Sequence, residues 1–85
     1  VRNVRLLILD EPTRGIDVGA KQEIYNLITE LSKQGIAILM ISSDMPEVLS
    51  MSHRIAVVAR GKIAGILSHE EATQDKVMKM IVEAN

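Results

Sequence analysis

Cysteine is absent from these 85 residues, which excludes disulfides and thiolate chemistry and agrees with a reducing compartment. Aromatics make up only 1% of the chain. Tyr25 is therefore the sole ring, and any core must be built from Leu, Ile, Val, Ala and Met. No sign of charge dominates: the formal net charge is −1, and the scatter of Lys, Arg, Asp and Glu leaves no basic face for a nucleic-acid backbone. Nucleic acid is not expected as a partner. The longest unbroken apolar run, Ile36 to Ile41, is far short of the ~20 residues that a membrane helix needs. Also missing is the string G-x-x-x-x-G-K-[ST], whose backbone N–H groups cradle phosphates. The one neighbouring Gly-Lys pair, Gly61-Lys62, is followed by Ile63 and reads as a hairpin turn. Val1-Arg2-Asn3 has neither a methionine nor the layout of a signal peptide, and the chain is expected to be a fragment.

What is present is a globular composition, with 47% hydrophobic and 25% charged residues, unlike that of a disordered tail. A chain of this length buries roughly 60 to 65% of its unfolded surface, so independent folding is marginal. Val4 to Leu9 has no polar alternation after Arg5, which predicts a strand buried on both faces of a parallel sheet and closed by Pro12. Ile24, Leu27, Ile28 and Leu31 then form one stripe of an amphipathic helix placed at about 18 to 34, with Asp17 as N-cap and Gly35 just past the end. Ile36 to Ile41 predicts a second buried strand, parallel to the first across a helical crossover. Its end, Ser42-Ser43-Asp44, is thereby placed on the same sheet edge as Asp10 and Glu11.

Pro46 begins a short helix running to about Met51, with Ser43 or Asp44 as its cap. Arg54 to Arg60 reads as a third strand, and the Arg60-Gly61-Lys62 turn leads into Ile63 to Leu67, a hairpin at the sheet edge. Ser68 and Glu71 have capping-box spacing, and Thr73 competes with them as cap of the last helix. That helix carries an apolar stripe of Val77, Met78, Ile81 and Ala84. With no repeat, low-complexity segment or linker, the expectation is one α/β unit of order β-α-β-α-β-β-α.

The chemistry concentrates where L-L-I-L ends in Asp10 and Glu11. A carboxylate at the end of a buried strand can hold Mg²⁺ through its water shell while the ion bridges nucleotide phosphates. A second can orient and polarise the attacking water, because phosphoryl transfer depends on positioning and charge. D-E-P taken alone also reads as a polar exit from a strand. Arg14 has two readings, steering phosphate or pairing with Glu11. His53 reads as a solvated residue, Tyr25 as a packing residue and the five methionines as core filler.

The longer strings discriminate further. L-L-I-L-D-E-P-T followed by G-I-D resembles the Walker B segment and D-loop of the ATP-binding cassette (ABC) ATPases. The likeness continues through D-E-P-T-R-G-I-D-V-G-A-K-Q-E-I-Y, I-S-S-D-M-P-E-V-L-S-M-S, the hairpin and A-T-Q, so it covers nearly the whole chain. It most resembles the C-terminal part of the second cassette in the ATP-binding subunits of bacterial monosaccharide importers, the ribose and galactose type. The resemblance implies a partial P-loop NTPase core of the RecA-like ABC type, with parallel strands and a C-terminal hairpin, over residues 1–85.

It also implies roles. Asp10 would be the aspartate linked to Mg²⁺ through water, and Glu11 the residue that aligns the hydrolytic water. Gly15, Ile16 and Asp17 would be the D-loop that reaches the opposite cassette, a role compatible with Asp17 capping a helix. Ser43 stands where most such cassettes hold a switch histidine. A hydroxyl is shorter than an imidazole and has no cationic form, so the site is expected to bind ATP and hydrolyse it poorly. His53 stands where the family would have an acid.

ATP and Mg²⁺ are thus the implied cofactors of the longer protein. With the phosphate loop, the Leu-Ser-Gly-Gly signature and the glutamine loop all absent, the 85 residues alone are expected to bind no nucleotide tightly. The implied partners are a second ATP-binding cassette, transmembrane permease subunits and, indirectly, a periplasmic sugar-binding protein. The implied location is the cytoplasmic side of the bacterial inner membrane, as a peripheral subunit. Unpaired strand edges also predict self-association of the piece. A non-transport ABC ATPase of the translation or DNA-repair type is the alternative, although the translation group has asparagine-histidine where this chain has Arg14-Gly15. An isolated interaction module without nucleotide chemistry is a third.

Overall fold

The computed structural model describes residues 5–84; Val4, the first residue of the expected first strand, lies outside them, as does the Val1-Arg2-Asn3 start. The elements are β1 (Leu6–Asp10), α1 (Val18–Lys33), β2 (Ala37–Ile41), α2 (Met45–Met51), β3 (Arg54–Ala59), β4 (Lys62–Ser68) and α3 (Gln74–Glu83). Their order is the one the sequence predicts. They do not form a single unit, however: the chain divides into one compact unit ending at Ser43 and another beginning at Asp44. The hairpin likewise makes a sheet of its own rather than the edge of the first one.

In the first unit β1 and β2 pair in parallel, with Leu6 opposite Ala37 and Asp10 opposite Ile41. α1 lies between them in sequence, as a crossover requires. Asp17 caps it by accepting a hydrogen bond from the Ala20 N–H. At the other end Gly35 has φ +90°, the left-handed geometry in which a side chain is strained. The helix covers Ile24, Tyr25, Ile28 and Leu31, while Leu27 is exposed and the expected stripe is corrected there. Leu27 is turned about 100° from Ile28 around the axis, off the covered face.

The expectation that both strands are buried on both faces is also corrected. Leu7, Leu9, Ile38 and Met40 are half-buried, but Leu6, Ile8, Leu39 and Ile41 are exposed, with Leu6 and Ile8 each at 57%. A strand is covered twice only when layers pack on both sides. Here the sheet has two strands and one crossover helix, so the second face stays open.

In the second unit Asp44 caps α2 with a bond of 3.1 Å from the Glu47 N–H, and Pro46 occupies the first turn, where its missing donor costs nothing. Glu47 is buried in that turn, where negative charge suits the helix N-terminus. β3 and β4 pair antiparallel around Arg60 and Gly61, which have φ +54° and +75°, the paired positive values of a two-residue hairpin turn. The register slips between Val57 and Val58, a bulge of the kind that bends and twists a ribbon.

Ile55, Val57 and Val77 form the core, packed by Met45, Val48, Leu49, Leu67, Ala72, Met80 and Ile81. Met80, not Met78 or Ala84, completes the α3 stripe: Met78 and Ala84 are exposed, so Met78 is also not core filler. Of the two competing caps for α3, Thr73 is the one the helix uses, and the Ser68–Glu71 pair closes the turn before it. Ser68 and Glu71 exchange bonds of 3.1 and 3.2 Å around a turn, and Thr73 then caps α3 through the Lys76 N–H.

Candidate functional site

The carboxyl ends of β1 and β2 meet at one edge of the parallel pair, where open α/β sheets present groups to ligands. Asp10 is the last residue of β1 and is exposed. Among the described residues its carboxylate has no hydrogen-bond or ion-pair partner.

Glu11 leaves the strand differently. Its φ is +51°, a left-handed conformation that costs a non-glycine residue of order 1–3 kcal/mol. Local bonds offset that strain: the Glu11 N–H donates to the Ile41 carbonyl at 2.7 Å, and the Arg14 N–H to the Glu11 carbonyl at 3.2 Å. The carboxylate is held as well. The Ser43 N–H donates to Oε1 at 2.5 Å and the Ser43 hydroxyl to Oε2 at 2.9 Å.

Beyond Pro12 the chain turns again. Thr13 is buried, and its carbonyl accepts from the Ile16 N–H at 3.1 Å. Gly15, at φ +76° with open space where a Cβ would stand, permits that turn by backbone freedom. It ends at Asp17, whose Oδ1 accepts from the Ala20 N–H at 3.3 Å. The structure thus brings Glu11 and Ser43 into direct contact and leaves Asp10 beside them on the edge. Gly15 and Asp17 lie in the following turn. Arg14 is exposed and makes no ion pair with Glu11, whose two carboxylate oxygens each accept one hydrogen bond from Ser43. His53 is exposed, as a solvated residue would be.

Among the described residues no group of three or more His, Cys, Asp or Glu side chains could hold a metal. Mg²⁺, however, is commonly held by one or two carboxylates with water and substrate phosphates supplying the rest. A free acid at a strand end, Asp10, fits that lesser share and no more. The Glu11–Ser43 bond is the feature that inspection of the sequence missed. Its two members are separated by 32 positions, and only the shared sheet edge hints at their meeting.

No protein-family model matches the chain. It is 63% identical over 83 residues to the ribose import ATP-binding protein RbsA 2 of Streptomyces coelicolor, covering 98% of this chain and 16% of that protein. The chain is similar to one segment of sugar-import ATP-binding proteins. A second relative, the xylose import ATP-binding protein XylG of Moorella thermoacetica, is 64% identical over 76 residues, 89% of this chain and 15% of that protein. The chain therefore spans about one sixth of the length of these curated relatives. Among solved structures, an ATP-binding cassette of an ABC transporter matches 89% of this chain and 32% of its own length, with a TM-score of 0.73 and 27% identity. The α/β fold is that of part of an ABC-type P-loop NTPase cassette. Among the described residues no helix is long and apolar enough to cross a membrane.

Proposed function

We propose that the chain is the Walker B, D-loop and switch segment, within the second cassette, of an ATP-binding subunit that energises sugar import across a bacterial inner membrane. In this reading Asp10 contacts Mg²⁺ through water and Glu11 orients the hydrolytic water. Gly15 and Asp17 belong to the turn that addresses a second cassette. Ser43, in place of a switch histidine, leaves the site able to bind ATP but slow to hydrolyse it. ATP supplies the free energy, and permease subunits and a periplasmic sugar-binding protein are the partners. The subunit sits on the cytoplasmic face of the membrane. The observation that carries the reading is the 63% identity, across 98% of this chain, to a ribose import ATP-binding protein. The adjacent acids at the carboxyl end of a parallel strand supply the chemistry it needs.

The 85 residues alone have no phosphate loop, so they should be silent. Calorimetry of the chain with Mg-ATP is expected to give no binding at micromolar concentrations, and micromolar affinity would overturn that part of the reading. In the longer subunit, Asp10→Asn is expected to raise the Mg²⁺ concentration needed for nucleotide binding at this site. An unchanged requirement would remove Asp10 from the metal. The sugar-import relatives give no support to a translation or DNA-repair role.

A further inference from the structure

Ser43 is too short to be read simply as a weak substitute for a side chain that reaches the nucleotide. Its two donors point elsewhere, the N–H to Glu11 Oε1 and the hydroxyl to Glu11 Oε2. A carboxylate has about four acceptor positions, so these bonds fix its plane while leaving two positions open. The backbone of Glu11 is fixed from the same neighbouring strand, by the bond from its N–H to the Ile41 carbonyl. Main chain and side chain of Glu11 are thus both tied to the end of β2, which pre-orients the acid without any ligand.

We propose that Ser43 is a positioning residue that acts on the reaction through Glu11 and makes no contact with the nucleotide itself. This rests on the reading of Glu11 as the water-orienting acid. One donor is main-chain and survives any ordinary substitution. The hydroxyl is the part that sequence controls, and threonine can replace it whereas alanine cannot. Removing it leaves the carboxylate held through one oxygen and free to swing about that bond.

The experiment combines spectroscopy of this chain with single-turnover kinetics of the longer ATP-binding subunit. In the chain, the Ser43 amide proton is expected far downfield, as a short bond to a carboxylate requires, and Glu11→Ala should move it upfield. An ordinary amide shift, unmoved by Glu11→Ala, would overturn the inference whatever the subunit does. In the subunit, Ser43→Ala is expected to lower the single-turnover rate at this site about tenfold, the usual scale for losing one hydrogen bond to a charged group. Nucleotide Kd should stay within about twofold, because an interaction that acts on the chemical step and not on binding leaves affinity unchanged. Ser43→Thr should restore the rate, and Ser43→Ala should add nothing once Glu11→Gln is present. A weakened Kd with the rate unchanged, or full additivity with Glu11→Gln, would mean that Ser43 acts on the nucleotide and would defeat the proposal. If Glu11→Gln itself left the rate unchanged, the functional reading of Glu11 would fail instead.

Discussion

Glu71 shows how little burial is needed to perturb an acid when donors are well placed. Its carboxyl is held below the usual carboxylate range, first by the backbone hydrogen bond from Ser68, then by the Ser68 side chain, with the charge of Lys76 adding a smaller pull. A carboxylate that folding makes more acidic contributes stability that is fully present above its unfolded pKa and is lost as pH falls through its folded value. Carboxyl NMR titration should therefore find Glu71 below the ordinary carboxylate range, and Ser68→Ala, which removes the side-chain bond and keeps the larger backbone one, should move it part of the way back; an unmoved titration would rule out the side-chain contribution. The spacing of Ser68 and Glu71 made this pair visible in the sequence. Glu11 is the opposite case. Its acidic character was legible, but its left-handed backbone and its bond to Ser43 depend on where a distant strand ends.

Caps and faces govern the elements. Asp17→Ala is expected to destabilise α1 by about 1 kcal/mol through the lost N-cap, and Asp17→Asn should retain most of that stability. Urea unfolding followed by circular dichroism would compare them, and equal loss in both would show that the charge, not the cap, matters. On β3 the two neighbouring valines should behave differently. Val57 is 4% exposed and Val58 62%, so Val57→Ala should cost on the order of 2 kcal/mol, as large-to-small core changes do. Val58→Ala should stay within about 0.5 kcal/mol. Element order and caps were readable from periodicity and turn residues. The exact apolar stripe was not: Leu27 and Met78 are as hydrophobic as their covered neighbours, and only the position of the packed partner decides which of them is covered.

Across the whole molecule the buried core is small. Among the described residues only Ile28, Ile55, Val57 and Val77 are buried apolar side chains, and Leu6, Ile8, Leu39 and Ile41 lie open on one face of the parallel pair. Exposed apolar strands invite association. Light scattering is therefore expected to show a mass that rises with concentration, and Leu39→Lys should reduce it; a monomer at all concentrations would refute this. The sequence by itself determined the order of elements, the helix caps, the hairpin turn and the grouping of Asp10, Glu11 and Ser43 at one sheet edge, because these depend on local periodicity, turn chemistry and strand direction. Only the tertiary structure decided that the chain forms two units, that one strand face stays uncovered, and that Ser43 holds both oxygens of Glu11. Those outcomes depend on which surfaces meet, and contacts between residues far apart in sequence leave no periodic trace along the chain.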